Sequence, residues 1–298
     1  MECKYRVILS IDGGGIRGVV PLKILTYIQD QVSQMDDKVD ISSWVDVFSA
    51  SSTGSIISGA LMLRNENGRG KFSPAEMLEL YQKRGQQIFS KNIGLDPAHS
   101  KYPLSFILDH FFGGINIEHL HKRFLFVSYD LNSDSQYLFT DTADRFRSLP
   151  LSKIMIACSA FPGIYPPLSL GNLLLADGIV AAKNPSELAY NYAKMFYPND
   201  PIILISLGTG QSEFNEMDII DKEMEIIHRN LTNLSKEDSR LLYYRFQPTL
   251  IDPPSSESDT TKENIDSLLR DTEEYIKQNQ SEFKHLFSLM KIKVEQML

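Results

Sequence analysis

The chain has 298 residues and a net charge of −8, with 42% hydrophobic and 23% charged residues. This length suits one large α/β domain or two smaller ones, and the composition is typical of a globular protein. Most of the acidic excess lies in residues 213–298, which carry 11 Lys and Arg against 18 Asp and Glu. Neither part of the chain has the basic surplus of a nucleic-acid-binding protein or a polybasic segment for anionic lipid.

Composition also bears on the cellular compartment. No apolar run reaches the ~18 residues of a membrane span, and the N-terminal residues show no signal-peptide pattern. Cys3 and Cys158 provide neither a disulfide framework nor zinc-ligand spacing. We therefore expect a cytoplasmic protein, with peripheral membrane association as a further expectation.

Apolar, β-branched runs alternate with helix-like segments through the first two thirds of the chain. Strands are predicted at residues 6–11, 43–51, 123–131, 172–176 and 201–207, and helices near residues 21–35, 56–62, 73–89 and 152–160. This alternation predicts a three-layer α/β/α fold with a central, mostly parallel sheet. Residues 213–298 are mostly helical in pattern, and we expect them to pack as an extension on the domain formed by residues 1–212.

The loop of residues 12–18, Asp-Gly-Gly-Gly-Ile-Arg-Gly, joins the first predicted strand to the first predicted helix. Consecutive glycines cost conformational entropy unless the backbone must approach another group closely. Backbone N–H groups at a helix N-terminus favour negative charge. The loop is therefore a candidate anion site.

A dinucleotide site is one alternative for this loop. Its glycines satisfy G-x-G-x-x-G, and Asp36 or Asp37 lies near the position of a ribose-binding acid. That acid normally ends a second strand, whereas the residues around Asp36 have the pattern of a helix end. A purely structural turn is the other alternative.

A second motif, Ala-Ser-Ser-Thr-Gly at residues 50–54, lies between a predicted strand and a predicted helix. A nucleophilic serine at such a turn needs very small neighbours two residues away on each side. Gly54 is one such neighbour of Ser52, and Ala50 stands where glycine is usual. A helix N-cap formed by these hydroxyl residues is the alternative interpretation.

The third motif is Asp177-Gly178, at the carboxyl end of a predicted strand. Carboxyl ends of parallel strands meet at one edge of a sheet, so Asp12, Ser52 and Asp177 should converge there. None of the six histidines lies at a predicted strand end, which makes an aspartate the candidate base. Such a base needs an environment that raises its pKa.

In combination, these motifs resemble the patatin-like phospholipases. The resemblance covers about residues 5–210 and rests on the segments 12–18, 50–54, 177–178 and 206–210, with 159–162 and 184–185 beside them. A weaker resemblance to the C-terminal part of bacterial members includes residues 243–246. Residues 1–212 are then the expected patatin-like catalytic domain.

The resemblance implies a role for each matching residue. Ser52 matches the nucleophile that forms an acyl-enzyme with a lipid ester, and Asp177 matches its partner in a Ser-Asp dyad. Arg17 matches a loop arginine that either orders the loop or contacts substrate phosphate. The oxyanion hole is implied to consist of the backbone amides of Gly13, Gly14 and Gly15.

The function implied by the resemblance is a phospholipase A or lysophospholipase type of lipid acyl hydrolase, which cleaves fatty-acyl esters of glycerolipids. It requires no metal or cofactor, and a homo-oligomer is left open. Ala50 and Ser55 replace glycines of the usual motif, and Ile179 replaces a small residue. A weakened module that binds lipid or protein without hydrolysis is therefore the alternative.

Two apolar segments each allow two interpretations. The stripe formed by Phe283, Leu286, Phe287, Met290, Val294 and Met297 favours packing on the domain, with an interfacial lipid-binding face as the alternative. The aromatic-rich residues 102–115 favour ordinary core, with a lid or acyl-chain wall as the alternative.

Overall fold

A central sheet with helices on both faces forms the fold. The computed structural model describes residues 4–89, 103–212, 219–251 and 257–297. Its strands are β1 (Arg6–Ile11), β2 (Val47–Ser51), β3 (Arg123–Asp130), β4 (Ser135–Thr140), β5 (Leu168–Leu170), β6 (Leu173–Asp177), β7 (Ile202–Leu207), β8 (Gln211–Ser212), β9 (Leu241–Phe246) and β10 (Thr249–Leu250). Its helices are α1 (Val19–Met35), α2 (Ile41–Trp44), α3 (Thr53–Met62), α4 (Pro74–Phe89), α5 (Pro103–Phe112), α6 (Leu151–Cys158), α7 (Ser186–Phe196), α8 (Ile219–Glu237), α9 (Lys262–Gln278) and α10 (Gln280–Glu295). Cys3 and Tyr102 lie outside the described residues.

The sheet has a parallel centre and an antiparallel edge. Its strand order is β5-β6-β3-β2-β1-β7-β9, and β4 pairs with β3 outside this path. The neighbouring strands β3, β2, β1, β7 and β9 pair in parallel. The pairs β3–β4, β3–β6 and β5–β6 are antiparallel. The predicted mostly parallel α/β fold is confirmed.

Alternate side chains of the central strands enter two separate cores. Val7 and Leu9 of β1 belong to the core that includes α1, α3, α9 and α10. Ile8 points into the other core, with apolar residues of α7 and α8. This alternation follows from the two-residue period of a strand, and it produces the three layers.

Strand β2 begins later than its apolar pattern predicts. The predicted strand over residues 43–51 begins inside α2, and β2 starts only at Val47. The Asp40 side chain accepts a hydrogen bond from the Ser43 amide, while the Asp40 amide donates to the Ser43 hydroxyl. This capping box stabilises a short helix where strand propensity alone predicts extension.

Strand β9 lies in the segment whose pattern is mostly helical. It pairs in parallel with β7 over its whole length, from Ile202 opposite Leu241 to Leu207 opposite Phe246. Short runs of mixed aliphatic and aromatic residues do not distinguish strand from helix, so the sequence does not predict this strand. Residues 241–246 thus belong to the central sheet.

Helix α10 packs on the domain through its apolar stripe. Phe283, Leu286 and Met290 are fully buried. The Phe283 ring stacks on Phe246 of β9, with centroids 4.3 Å apart and an interplanar angle of 4°. The favoured interpretation of this stripe as a packing face is confirmed.

Helix α5 has one buried face and one exposed aromatic residue. Leu104, Leu108 and Phe112 are buried, whereas Phe106 is 70% exposed. One face of α5 is thus ordinary core, and residues 105–107 and 109–111 are partly or fully exposed. Among the described helices, none has the length and apolar content needed to cross a bilayer.

Replacing Phe283 with alanine should lower the free energy of unfolding by about 3–5 kcal/mol, because it removes a stacked ring from a closed core. Urea denaturation followed by circular dichroism measures this change. Ile292→Ala on the same helix is the control: Ile292 is 40% exposed, and its loss should cost less than about 1 kcal/mol. Equal effects of the two substitutions would contradict the assigned packing face.

Candidate active site

Ser52 occupies a strained turn between β2 and α3. Its φ of 48° and ψ of −124° lie in a region that non-glycine residues rarely adopt. A Cβ at Gly54 would lie 2.4 Å from the carbonyl oxygen of Ile11, so only glycine fits there. Ala50 is fully buried and keeps its register opposite Ile11 and Phe126. Ala50 is therefore compatible with the turn of a nucleophile elbow.

Strands β2 and β6 meet end to end along one edge of β3. Ser51 of β2 is opposite Val127, and Asp177 of β6 is opposite the next residue, Ser128. Strand β4 pairs with residues 125–130 of β3, so β2 and β6 must share the other edge. Because β2 and β6 run in opposite directions, their carboxyl ends face each other. This differs from the expected convergence of parallel strands, although it brings the same two residues together.

The side chains of Ser52 and Asp177 are in direct contact. The Ser52 hydroxyl donates a hydrogen bond of 2.6 Å to Oδ2 of Asp177. The other carboxylate oxygen accepts a bond of 2.8 Å from the amide of Ile179. The Asp177 amide donates to the carbonyl oxygen of Ala160 at 3.1 Å, which fixes the end of the strand. The carboxylate is thus held in one orientation toward the serine.

Burial governs the charge state of Asp177. The side chain is fully buried, and desolvation raises the pKa of its carboxyl to about 7. The hydrogen bonds from Ile179 and Ser52 oppose this shift, while the negative charge of Glu257 adds to it. A carboxyl with a pKa near neutrality can both accept and return a proton at physiological pH.

The glycine loop lies against this pair. A Cβ at Gly13 would lie 3.2 Å from the Cβ of Ser52. The Gly13 amide donates to the carbonyl oxygen of Lys183 at 3.1 Å, so that N–H group is already engaged. Within residues 4–89, 103–212, 219–251 and 257–297, the amides of Gly14 and Gly15 donate to no acceptor. These two amides are the donors that the loop has available for an anion.

Thr209 supports the loop from the end of β7. Its hydroxyl donates to the carbonyl oxygen of Gly13 at 2.8 Å. A Cβ at Gly14 would lie 2.4 Å from that hydroxyl oxygen. Gly15 has a φ of 55°, and a Cβ there would lie 2.2 Å from the carbonyl oxygen of Glu257. The glycines are therefore needed for close backbone approach.

A buried ion pair holds the start of the loop. Nη1 and Nη2 of Arg245 donate to the two carboxylate oxygens of Asp12 at 2.9 and 2.5 Å. Asp12 is fully buried, and the Arg245 side chain is 7% exposed. Burial raises the pKa of the Asp12 carboxyl, while the adjacent guanidinium lowers it. Arg245 lies on β9, within the segment 243–246 that carries the weaker family resemblance, but nothing in the sequence indicates its pairing with Asp12.

Arg17 is engaged by an acidic residue from the C-terminal segment. Its Nη2 lies 2.6 Å from Oε1 of Glu257, and Nζ of Lys183 lies 3.7 Å from the same oxygen. The carbonyl oxygen of Glu257 also accepts a bond of 2.9 Å from the Ile16 amide. This arrangement agrees with loop ordering, the first of the two roles expected for Arg17. No sequence pattern identifies Lys183 or Glu257.

Other expectations concern histidines, metals and nucleotides. In the part of the chain that the structure describes, the Ser52 hydroxyl contacts Asp177 without an intervening imidazole. The same residues contain no group of three His, Cys, Asp or Glu side chains that could hold a metal ion. Asp36 is the C-cap of α1 instead of the end of a second strand. A dinucleotide fingerprint requires an acidic residue at the end of the second strand, so Asp36 does not match it.

Replacing Arg245 with methionine should destabilise the protein by about 3–5 kcal/mol, because it leaves a buried Asp12 carboxylate without its partner. Urea unfolding followed by intrinsic fluorescence measures the loss. The double variant Asp12→Asn/Arg245→Met should recover part of it, since no unpaired charge remains buried. An Arg245→Met variant with wild-type stability would contradict the assigned pairing.

The sequence is similar to known proteins. Residues 9–190 match the family model of patatin-like phospholipase. Patatin-17 of Solanum cardiophyllum is 26% identical over 328 aligned residues, which cover 92% of this chain and 84% of that protein. A Solanum tuberosum protein described as probable inactive patatin-3-Kuras 1 is 28% identical over 239 residues, covering 70% of this chain and 63% of that protein.

A solved structure of human GIVD cytosolic phospholipase A2, in complex with methyl gamma-linolenyl fluorophosphonate, aligns with a TM-score of 0.48 and 11% identity. The alignment covers 98% of this chain and 60% of that one. The family match extends over more than half of the sequence. The chain therefore belongs to the patatin-like phospholipase family.

Proposed function

We propose that this chain is a lipid acyl hydrolase of the phospholipase A or lysophospholipase type, a serine ester hydrolase that cleaves fatty-acyl esters of glycerolipids. The observation that carries the proposal is the 2.6 Å hydrogen bond from the Ser52 hydroxyl to Asp177, formed at a strained elbow. Family membership supports the lipid substrate. The available amides of Gly14 and Gly15 beside the serine support acyl transfer.

In the first step, Ser52 Oγ attacks the carbonyl carbon of the ester and its proton passes to Oδ2 of Asp177. The electron pair of the carbonyl π bond moves onto the carbonyl oxygen, and the amides of Gly14 and Gly15 stabilise the resulting oxyanion. Preorganised donors of this kind are worth several kcal/mol in the transition state. The C–O bond to the glycerol oxygen then breaks, and protonated Asp177 returns the proton to that alkoxide.

In the second step, water attacks the acyl-enzyme and gives its proton to Asp177. The tetrahedral intermediate again has its negative charge beside the glycine-loop amides. Its collapse breaks the bond to Ser52 Oγ, which takes the proton back, and the fatty acid leaves. One carboxyl group therefore serves alternately as base and acid, so the mechanism requires no histidine.

A catalytically weakened binding module is the second candidate. It is favoured by Ser55 and Ile179, which depart from the usual family motifs, and by the relative whose name describes it as probably inactive. A fluorophosphonate probe distinguishes the candidates, because only an activated serine becomes labelled. Stoichiometric labelling of Ser52 supports the enzyme, and a folded but unlabelled protein supports the binding module.

Ser52→Ala should reduce release of free fatty acid from mixed phospholipid, galactolipid and lysolipid substrates by about 1000-fold or more, because the nucleophile is lost. Asp177→Asn should reduce it by about 100- to 10,000-fold through loss of the general base. Mass spectrometry of the lipid products measures both effects.

Ser58→Ala is the matched control for these variants. Ser58 is a buried serine on α3, the helix that Ser52 precedes, and its hydroxyl has no hydrogen-bond partner among the described residues. This variant should retain activity close to that of the wild type. Unchanged fatty-acid release by pure Ser52→Ala or Asp177→Asn protein would rule out the dyad.

The pH dependence of kcat/KM should follow the raised pKa of Asp177, which burial moves to about 7. The base works as a carboxylate, so activity should increase as pH rises through about 7 and should fall to roughly a tenth at pH 6. Initial rates with an uncharged ester, at pH values where circular dichroism shows a folded protein, measure this profile. A value of kcat/KM that falls only near pH 4 would show that the pKa of Asp177 is not raised by burial.

A further inference from the structure

Two cationic side chains beside the glycine loop share one carboxylate. Arg17 Nη2 and Lys183 Nζ lie 2.6 and 3.7 Å from Oε1 of Glu257. Their side chains are 14% and 8% exposed, and that of Glu257 is 25% exposed. We call Arg17 and Lys183 the cation cradle. Since buried cations are costly without a counter-charge, the cradle needs an anion in its centre.

The anion in the cation cradle is the Glu257 carboxylate, and it leaves hydrogen-bond donors of Arg17 and Lys183 unused. Arg17 contributes one short contact, while its Nε is buried without a hydrogen-bond partner among the described residues. Lys183 lies beyond hydrogen-bond distance of both Glu257 and Asp221, at 3.7 and 3.9 Å. A phosphate group has more acceptor oxygens than a carboxylate, so it can bind donors that Glu257 leaves unused.

The cradle also lies next to the reacting groups. The Lys183 carbonyl oxygen accepts from the Gly13 amide, and the Glu257 carbonyl oxygen accepts from the Ile16 amide. The charge of Glu257 is close enough to act on Asp177. An ester that reaches Ser52 therefore brings its glycerol headgroup near these two cations.

We propose that Glu257 is an internal anion that competes with the headgroup phosphate of a glycerolipid for Arg17 and Lys183, and so determines the headgroup selectivity of the site. The inference rests on the proposed lipid acyl hydrolase function. A phosphate-bearing substrate must displace Glu257, or bind next to its negative charge. A glycerolipid with an uncharged sugar headgroup meets no such competition.

Glu257→Gln tests the proposal, because it removes the charge while keeping the shape and the backbone bond to Ile16. The measurement is kcat/KM in mixed micelles for phosphatidylglycerol and monogalactosyl diacylglycerol with identical acyl chains. The ratio of phosphatidylglycerol to galactolipid should rise about tenfold or more, the size of one charge-assisted hydrogen bond. In an Arg17→Gln background, the same substitution should change the ratio less than threefold.

Glu273→Gln is the control for net charge. Glu273 lies on α9, is 53% exposed and pairs with Lys23 and Lys277. Its loss should leave the ratio unchanged. An unaltered ratio in Glu257→Gln, or an equal rise in Glu273→Gln, would overturn the proposal.

A binding measurement separates this proposal from the proposed hydrolysis. Isothermal titration with sn-glycerol 3-phosphate should give about tenfold tighter binding to Glu257→Gln than to the wild type, whether or not either protein cleaves lipid. Equal affinities would reject the role of Glu257. If the wild type hydrolyses no lipid but Glu257→Gln binds sn-glycerol 3-phosphate more tightly, only the proposed enzymatic function is rejected.

Discussion

The head-on meeting of β2 and β6 along one edge of β3 is the constraint on which the site depends. Neither strand can extend further, because each occupies the place where the other would continue. The chain must therefore turn sharply at Ser52 and at Asp177. The strained backbone at Ser52 costs of order 1–3 kcal/mol and persists only because the surrounding packing determines it. The strained backbone at Ser52 and the contact between Ser52 and Asp177 thus both result from the way β2 and β6 meet in the sheet.

Strand β9 makes the C-terminal part of the chain contribute to the central sheet. It carries Arg245, which neutralises Asp12 at the start of the glycine loop, and Phe246, on which Phe283 of α10 stacks. A buried guanidinium paired at both oxygens of a carboxylate is geometrically demanding. The position of the loop therefore depends on a strand more than 200 residues away in the sequence.

Local patterns allowed much of this arrangement to be predicted. Buried parallel strands appear as continuous apolar runs, so the fold class follows from the sequence. The small residues near Ser52 allow either an elbow or a helix cap, and the pairing of Ser52 with Asp177 is implied only by the resemblance of the combined motifs. Strand β6 is antiparallel to β3, and no local pattern specifies the partner or direction of a strand. Arg245, Lys183 and Glu257 contribute through contacts across long sequence separations, which a single sequence does not reveal. The hydrogen bond from the Gly13 amide to the Lys183 carbonyl oxygen also joins residues far apart in the sequence, so local patterns do not predict it.

The pairing of charges around Ser52 and Asp177 supports the proposed role of Asp177 as a base that works without a histidine. A cation near Asp177 would stabilise its carboxylate, lower its pKa and weaken it as a base. Arg245 is paired with Asp12, Arg17 and Lys183 share Glu257, and Lys183 also lies 3.9 Å from Asp221, so each of these cations faces a carboxylate. Burial can then dominate the environment of Asp177 and raise its pKa to about 7. Under the proposed function, the Glu257 carboxylate that occupies the cation cradle also raises the pKa of Asp177, so one residue would couple headgroup recognition to the strength of the base.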